Sequence, residues 1–476
     1  MKYEFDLVII GAGSAGMVAG EAAPKMGVRT ALVERARIGG DCLWTGCVPS
    51  KALLASAKAA YTIRHADKYG LPPTDLQFDT KAIWQRIRET QAAIAESDDS
   101  PEKFTQQGVE LIYGGATLAD AHTVRVGKRT LTTRYILICT GSRPADPPEG
   151  LAEIGYLSSE SLFELERPPA SLLIVGAGPT GVEMAQGLCR LGVNIVLLEQ
   201  LPGILEREEP AVCDILMERL REEGVDVCLD VCCFRATRED AGKVLHGRIG
   251  EEERSWSAED VFLAAGRKPN IESIELDHVG IKTGPRGIIV DEKMRTSVKS
   301  IYAAGDCAGR FLFTHSAAAE AVIALRNMFY PGSQRAPTLI PWTTFTDPEL
   351  AHVGMTSREA RERLGERGVR VFEWGFDHSD RARTDSATEG KAVIVTDSRF
   401  RIIGAHILAP SASEMIGQLT LAISRGARLT REIVNLIQVY PTFSTSISQL
   451  AAAATYGELE KPIFRMLRRL NDIFSR

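Results

Sequence analysis

The sequence predicts an α/β protein: two units of parallel sheet and helix, closed by a third domain of α+β character. Three observations predict this. A short run rich in β-branched residues, Phe5–Ile10, leads at once into Gly11-Ala12-Gly13-Ser14-Ala15-Gly16 and a helical pattern through Met26. The same order recurs in residues 172–175, Gly176-Ala177-Gly178-Pro179-Thr180-Gly181 and a helix through Leu191. Beyond about Ala336 the pattern changes to β-rich segments at 343–346, 391–395 and 401–407, then helices over 413–425 and 431–436, with no third glycine fingerprint.

Composition sets the frame. At 476 residues the chain exceeds what one core organises and divides into about three domains. Charged residues at 25% and hydrophobic residues at 44% are ordinary for a globular protein, and a net charge of −6 leaves no electrostatic footprint for nucleic acid. Nine scattered cysteines without a secretory leader point to a reducing, cytoplasmic setting, where a persisting cysteine pair is catalytic rather than structural. No run of 18 apolar residues occurs, so no membrane span is expected.

The first fingerprint is complete, because strand, glycines and helix are followed by a second strand, 29–33, that ends in Glu34. Gly11 permits the tight turn, Gly13 lets the backbone approach a pyrophosphate, and Gly16 lets helix and strand pack closely. The helix N-terminus faces the phosphates, and Glu34 accepts a ribose hydroxyl. Next comes Ile38-Gly39-Gly40-Asp41-Cys42-Leu43-Trp44-Thr45-Gly46-Cys47-Val48-Pro49-Ser50-Lys51, with four residues between two cysteines and an Ala/Leu-rich helical run, 51–60, behind them. Such a pair is either a disulfide-forming couple at a helix start, where a thiol pKa is lowered, or two buried core thiols.

Residues 59–109 read as helices broken at Gly70-Leu71-Pro72-Pro73, with a long amphipathic helix over 81–97. Residues 135–144 read as a buried strand that stops in a Gly/Pro crossover, where a domain boundary is expected. In the second unit the strand Asn194–Leu198 ends in Glu199. Two fingerprints imply two dinucleotides, and an acid at that place suits an NAD ribose with a free 2′-hydroxyl, while Arg207 keeps NADP open. Residues 261–270, centred on Gly266, echo the crossover at 136–144, so both units end in the same device. Residues 301–306 deliver Asp306 to the carboxyl end of a strand, as a cofactor-hydroxyl ligand or a helix N-cap. The predicted division is 1–146 and 271–335 for an interrupted first nucleotide-binding domain, 147–270 for the second, and 336–476 for the C-terminal domain.

These residues together give a resemblance. The whole chain resembles the flavoprotein disulfide reductases, the group of dihydrolipoamide dehydrogenase, glutathione reductase and mercuric reductase. It is carried, in the family's order, by Gly11 to Gly16 with Glu34, Gly39 to Lys51, Thr140-Gly141, Gly176 to Gly181 with Glu183, Gly266-Arg267, Ala304-Gly305-Asp306 and Phe345-Thr346-Asp347-Pro348-Glu349. The resemblance implies FAD in the first Rossmann-like domain, at Gly11, Gly13, Gly16, Glu34, Gly40, Thr140, Gly141 and Asp306. It implies NAD(H), with NADP(H) open, in the second, at Gly176, Gly178, Gly181, Glu199 and Gly266, and a homodimer formed through the C-terminal domain. Cys42 then corresponds to the interchange thiol, Cys47 to the thiol beside the flavin, and Lys51 with Glu183 to the ion pair near the flavin N5. His315 is either a flavin neighbour or a helix-start residue.

Departures from the family matter as much. The family's His-Pro-Thr segment, with a glutamate after it, reads here Tyr440-Pro441-Thr442-Phe443-Ser444-Thr445, so Tyr440 replaces the acid-base histidine and Thr445 the glutamate. A tyrosine near pKa 10 shuttles protons poorly at pH 7. Mercuric reductases too place a tyrosine near the metal path, but their C-terminal vicinal cysteines and N-terminal metal-binding module are missing here. Cys232-Cys233 sit on a predicted strand that points them to opposite faces, the eight histidines show no zinc-like spacing with cysteines, and no metal site is expected. Asp41 replaces a threonine, and Trp44 either lines the substrate entrance or packs in the core. The tail 460–476 is basic and amphipathic, suited to packing on the dimer or to a membrane surface.

The expected activity is therefore electron transfer between NAD(H) and a dithiol or disulfide, a small molecule or lipoylated protein, through flavin and Cys42–Cys47. The alternatives are a mercuric reductase-like metal-ion reductase, and a flavoprotein of little disulfide turnover acting as binding partner or quinone diaphorase.

Overall fold

The computed structural model describes residues 3–240 and 242–459; the amphipathic tail 460–476 lies outside them. Strand Phe5–Ile10 pairs in parallel with Thr30–Glu34 on one side and Arg129–Ile138 on the other. Leu7, Val8 and Ile9 are fully buried, as a parallel strand covered on both faces requires. Strand Arg129–Ile138 is longer than the buried run in the sequence, because its first half alternates exposed and buried positions within an antiparallel meander with Ala116–Asp120 and Thr123–Val126. After the second unit the chain returns: Ile301–Ala303 pairs in parallel with that same strand.

The second unit has its own four-stranded parallel sheet, in the order Asp226–Cys228, Asn194–Leu198, Ser171–Val175, Asp260–Leu263. A three-stranded antiparallel meander, residues 231–258, is inserted before the last of these strands. Cys232 and Cys233 sit on its first strand, the former exposed and the latter half-buried. The two echoing crossovers pair with each other, Ser142–Pro144 running antiparallel to Arg267–Pro269, which fastens one nucleotide unit to the other.

The C-terminal domain is a five-stranded sheet with antiparallel pairing throughout, and helices Ala412–Ser424 and Thr445–Leu459 join its core. The helix expected over 431–436 is instead a short π-type turn, Leu429–Ile433. Leu429 and Ile433 anchor that turn in the core, while Ile437 and Val439 beyond it are 96% and 77% exposed among the described residues.

A buried ion network locks the domains. Arg190 binds Glu223 at 2.7 Å and Asp347 at 2.8 Å, and Lys58 adds a 3.0 Å contact to Asp347, so the first unit, the second unit and the C-terminal domain meet at one cluster.

Candidate active site

One cavity of about 860 Å³ runs from Glu34 past Cys42 and Cys47 to Thr180 and Glu183. The glycines make its nucleotide end. A Cβ on Gly11 would lie 2.4 Å from the Cys139 carbonyl oxygen, and one on Gly16 would lie 1.8 Å from that of Gly11. A Cβ on Gly40 would reach within 2.6 Å of the Gly13 Cα, so two backbones form a groove that any side chain would fill. Glu34 accepts the Ala12 N–H at 2.7 Å and the Ala36 N–H at 2.8 Å, which pins the glycine loop, and its remaining lone pairs face the cavity it lines. This cradle fits a dinucleotide. The second loop repeats the device: Cβ atoms on Gly176 and Gly181 would collide with backbone oxygens at 2.8 and 1.9 Å, while Gly178 faces open space.

Between these ends stand the thiols. Cys42 lies in the short helix Gly40–Trp44, and Cys47 opens the helix Cys47–Arg64. The Cys42 thiol donates to Cys47; this contact first, then the Lys51 ammonium and Thr314, outweigh burial and lower the Cys47 pKa to about 6. The same contact and burial push Cys42 up, with Asp41 adding to the rise. A pair so placed holds one thiolate and one thiol at neutral pH. Lys51 Nζ lies 2.9 Å from Glu183 Oε2 and 4.6 Å from the centre of the Phe345 ring, and the Phe345 N–H donates to Glu183 Oε1.

Asp306 lines the cavity beside the first glycine loop and accepts the Ser142 hydroxyl; burial raises its pKa. Thr140 and Gly141 line the same wall, tied to Asn270 of the second crossover by the Thr140 hydroxyl and the Asn270 N–H. Gly266 belongs to that crossover with φ +111. His315 lines the cavity from the first turn of helix Thr314–Phe329, with Nε2 on the Pro341 carbonyl at 2.8 Å.

Sequence reasoning missed three residues here. Thr314 Oγ1 lies 3.7 Å from Cys47 Sγ, and Ser142 holds Asp306. Arg267 bonds Asp41 at 2.7 Å and Ser142 at 2.7 Å, joining the thiol loop to the second crossover. Arg267 had a signal, its place beside Gly266; Thr314 and Ser142 had none beyond adjacency to marked residues. Trp44, half-buried, lines the cavity beside the thiols, with its indole N–H donated to the Ile38 carbonyl and Arg37 over its ring.

Gly16, Gly176, Gly178, Gly181 and Gly266 lie outside the cavity lining, and so do Glu199 and Tyr440. Glu199 is buried and holds the Ala177 and Leu201 N–H groups at 2.6 and 3.0 Å, as Glu34 does in the first unit. Tyr440 is 66% exposed, and its hydroxyl donates to Asp380 Oδ2 at 2.8 Å, which raises its pKa further.

Residues 5–321 match the family described as pyridine nucleotide-disulphide oxidoreductase, and residues 340–451 match its dimerisation domain. Dihydrolipoyl dehydrogenase 2 of Haloarcula marismortui is 33% identical over 94% of this chain and 96% of its own length. The mercuric reductase of Bacillus cereus is 30% identical over 89% of this chain and 68% of its own. Among solved structures, the Cu(II) complex of RclA, an HOCl-induced flavoprotein disulfide reductase from Escherichia coli, superposes with a TM-score of 0.84 at 26% identity, covering 95% of this chain and 100% of that one. Among the described residues no helix is long and apolar enough to cross a membrane. A glycine cradle in each nucleotide unit and a thiol pair beside the first, with the sequence match over both regions, establish that this chain belongs to the pyridine nucleotide-disulphide oxidoreductases, FAD-containing, NAD(P)H-dependent flavoenzymes.

Proposed function

We propose that the protein is an NADH-dependent disulfide oxidoreductase of the dihydrolipoyl dehydrogenase type, working through Cys42 and Cys47 as a homodimer in a reducing, cytoplasmic setting. One observation carries the reading: Cys42 and Cys47 line one cavity with the first glycine cradle and the Lys51–Glu183 ion pair. When bound, the nicotinamide and flavin supply a hydride and relay its electron pair to the disulfide. Lys51, held by Glu183, stabilises negative charge on Cys47 and on its neighbour in the cavity. In its dithiol form the pair acts as reductant. Cys42 Sγ, after losing its proton, attacks one sulfur of the substrate disulfide and releases the other as a thiol. Cys47 then attacks Cys42 Sγ, releases the second substrate thiol and closes the Cys42–Cys47 disulfide; two electrons have passed to the substrate, and two protons accompany them.

The first proton is the difficulty, because Cys42 is pushed up and Tyr440 offers no group that titrates near neutrality. Glu199 supports NADH, since a 2′-phosphate would add charge beside a buried carboxylate. The exposed apolar segment Leu436 to Val439 supports the dimer.

The relatives named mercuric reductase favour a second reading, metal-ion reduction by the same thiols. Anaerobic titration with NADH should develop a long-wavelength thiolate-to-flavin band that is absent in Cys47→Ser; lack of the band in the unmodified protein defeats the thiol mechanism. A panel of lipoamide, glutathione disulfide, Hg(II) in excess thiol and a benzoquinone, each with NADH and NADPH, then separates the readings. Turnover of Hg(II) alone would replace the first by the second, and reduction of the quinone alone would replace both.

A further inference from the structure

A second cluster lies at the junction of the second nucleotide unit and the C-terminal sheet. Glu208 sits just before the helix Pro210–Glu222; His352 and His406 face each other on the paired strands Glu349–Gly354 and Ile402–Ala409. All three are buried, His406 completely. One ligand atom from each lies within 4.8 Å of those of the other two.

The outer hydrogen bonds fix which atoms face inward. His352 Nε2 is 3.0 Å from the Gly354 carbonyl and His406 Nε2 is 3.1 Å from the Met355 carbonyl. A carbonyl only accepts, so each ring carries its proton on Nε2 and is left with Nδ1 for other use. His406 Nδ1 is a buried atom with no hydrogen-bond partner, and with the ring's proton on Nε2 it presents a free lone pair. His352 Nδ1 faces Glu208 Oε2 at 2.9 Å. A ring protonated on Nε2 presents a lone pair there, and two lone pairs at that distance need a proton or a cation between them. The Trp342 indole N–H holds Glu208 Oε1 and so aims Oε2 at the histidines, while the indole ring stacks on His352 at 3.8 Å.

We propose that Glu208, His352 and His406 form a buried three-ligand site for a divalent transition-metal ion of the zinc type, with a water as the fourth ligand, which staples the second nucleotide unit to the C-terminal sheet. Two histidines whose outer N–H groups rest on backbone carbonyls, and a carboxylate oriented by a neighbouring donor, are the surroundings that metal-ligating side chains need. Bonds of about 2.0–2.2 Å draw the three ligand atoms closer by roughly an ångström. The site is independent of the thiol chemistry.

The test uses the FAD-loaded enzyme with its thiol pair oxidised, incubated with Zn(II), freed of excess metal and assayed by elemental analysis. About one ion per chain is expected, retained when Cys42 and Cys47 are both replaced by serine and falling below about a tenth in Glu208→Gln and in His406→Gln. Metal below a tenth per chain in the unmodified enzyme, metal unchanged in Glu208→Gln, or metal lost with the cysteines overturns the proposal. Should the variants fail to fold, zinc X-ray absorption of the unmodified enzyme decides. Only nitrogen and oxygen neighbours near about 2.0–2.1 Å support the site, and a sulfur shell near about 2.3 Å overturns it.

Discussion

Lys51 Nζ and Glu183 Oε2 lie 2.9 Å apart, and through this contact the helix that carries Cys47 is fastened to the helix that opens the second nucleotide unit. Glu183 is also held by the Phe345 N–H, so the ammonium is fixed in place rather than swinging on its flexible stem. Cys47 is one helical turn from Lys51, close enough for the charge to act on it.

In the reduced enzyme the thiolate-to-flavin absorption will therefore appear as pH rises through about 6. Removing the cation in Lys51→Met takes away a group that favours the thiolate, so the midpoint moves upward by about one unit. A spectrophotometric pH titration of both proteins measures this, and an unmoved midpoint would remove Lys51 from the account.

Asp41 acts in the opposite sense on the other thiol. Its carboxylate lies next to Cys42 in the chain and adds to the rise of that thiol's pKa, although Arg267 partly neutralises it. Asp41→Thr should lower the Cys42 pKa by about half a unit and speed its alkylation by iodoacetamide at pH 7 about threefold. FAD retention should weaken as well, because Arg267 loses the partner that aligns it with Ser142 and Asp306.

Tyr440 bears on turnover. Its phenol is spent on Asp380 and is raised out of the useful range, so Tyr440→Phe should change NADH-driven lipoamide reduction less than about threefold. Tyr440→His combined with Thr445→Glu introduces a group that titrates near 6.5 and should raise kcat/KM for lipoamide at least about tenfold. A large loss in Tyr440→Phe would instead assign the phenol a direct part.

The Arg190 cluster governs stability. Its guanidinium and the Glu223 carboxylate are each 3% exposed, so Arg190→Met takes the shared cation from the cluster and leaves Glu223 to Arg219 and Asp347 to Lys58. Because each carboxylate keeps one partner, the cost should fall below the roughly 3–5 kcal/mol of a buried pair broken outright, and urea denaturation followed by flavin release should show a lowered midpoint.

Much of this architecture was legible locally. The glycine loops announce themselves because Gly11, Gly16, Gly176 and Gly181 meet backbone atoms that leave no room for a Cβ, and such a demand shows as glycine in any sequence. The acids Glu34 and Glu199 close each loop about twenty residues on, within a single strand-helix-strand unit. The expected helix at 431–436 is cut short at Ile433, which sits in the core, because Leu436 and Ile437 beyond it are exposed and give the apolar pattern no face to bury.

By itself, then, the sequence determined the two nucleotide cradles, the thiol pair and the absence of a histidine at position 440, since each depends on residues close together along the chain. The tertiary structure alone decided which groups surround them. Thr314 reaches Cys47 across 267 positions, Arg267 meets Asp41 across 226, and His352 meets Glu208 across 144. No periodicity spans such separations. Only tertiary packing brings these side chains within bonding distance; it adds Thr314 to the local Cys42 and Lys51 around Cys47 and creates the two-histidine cluster that spacing could not reveal.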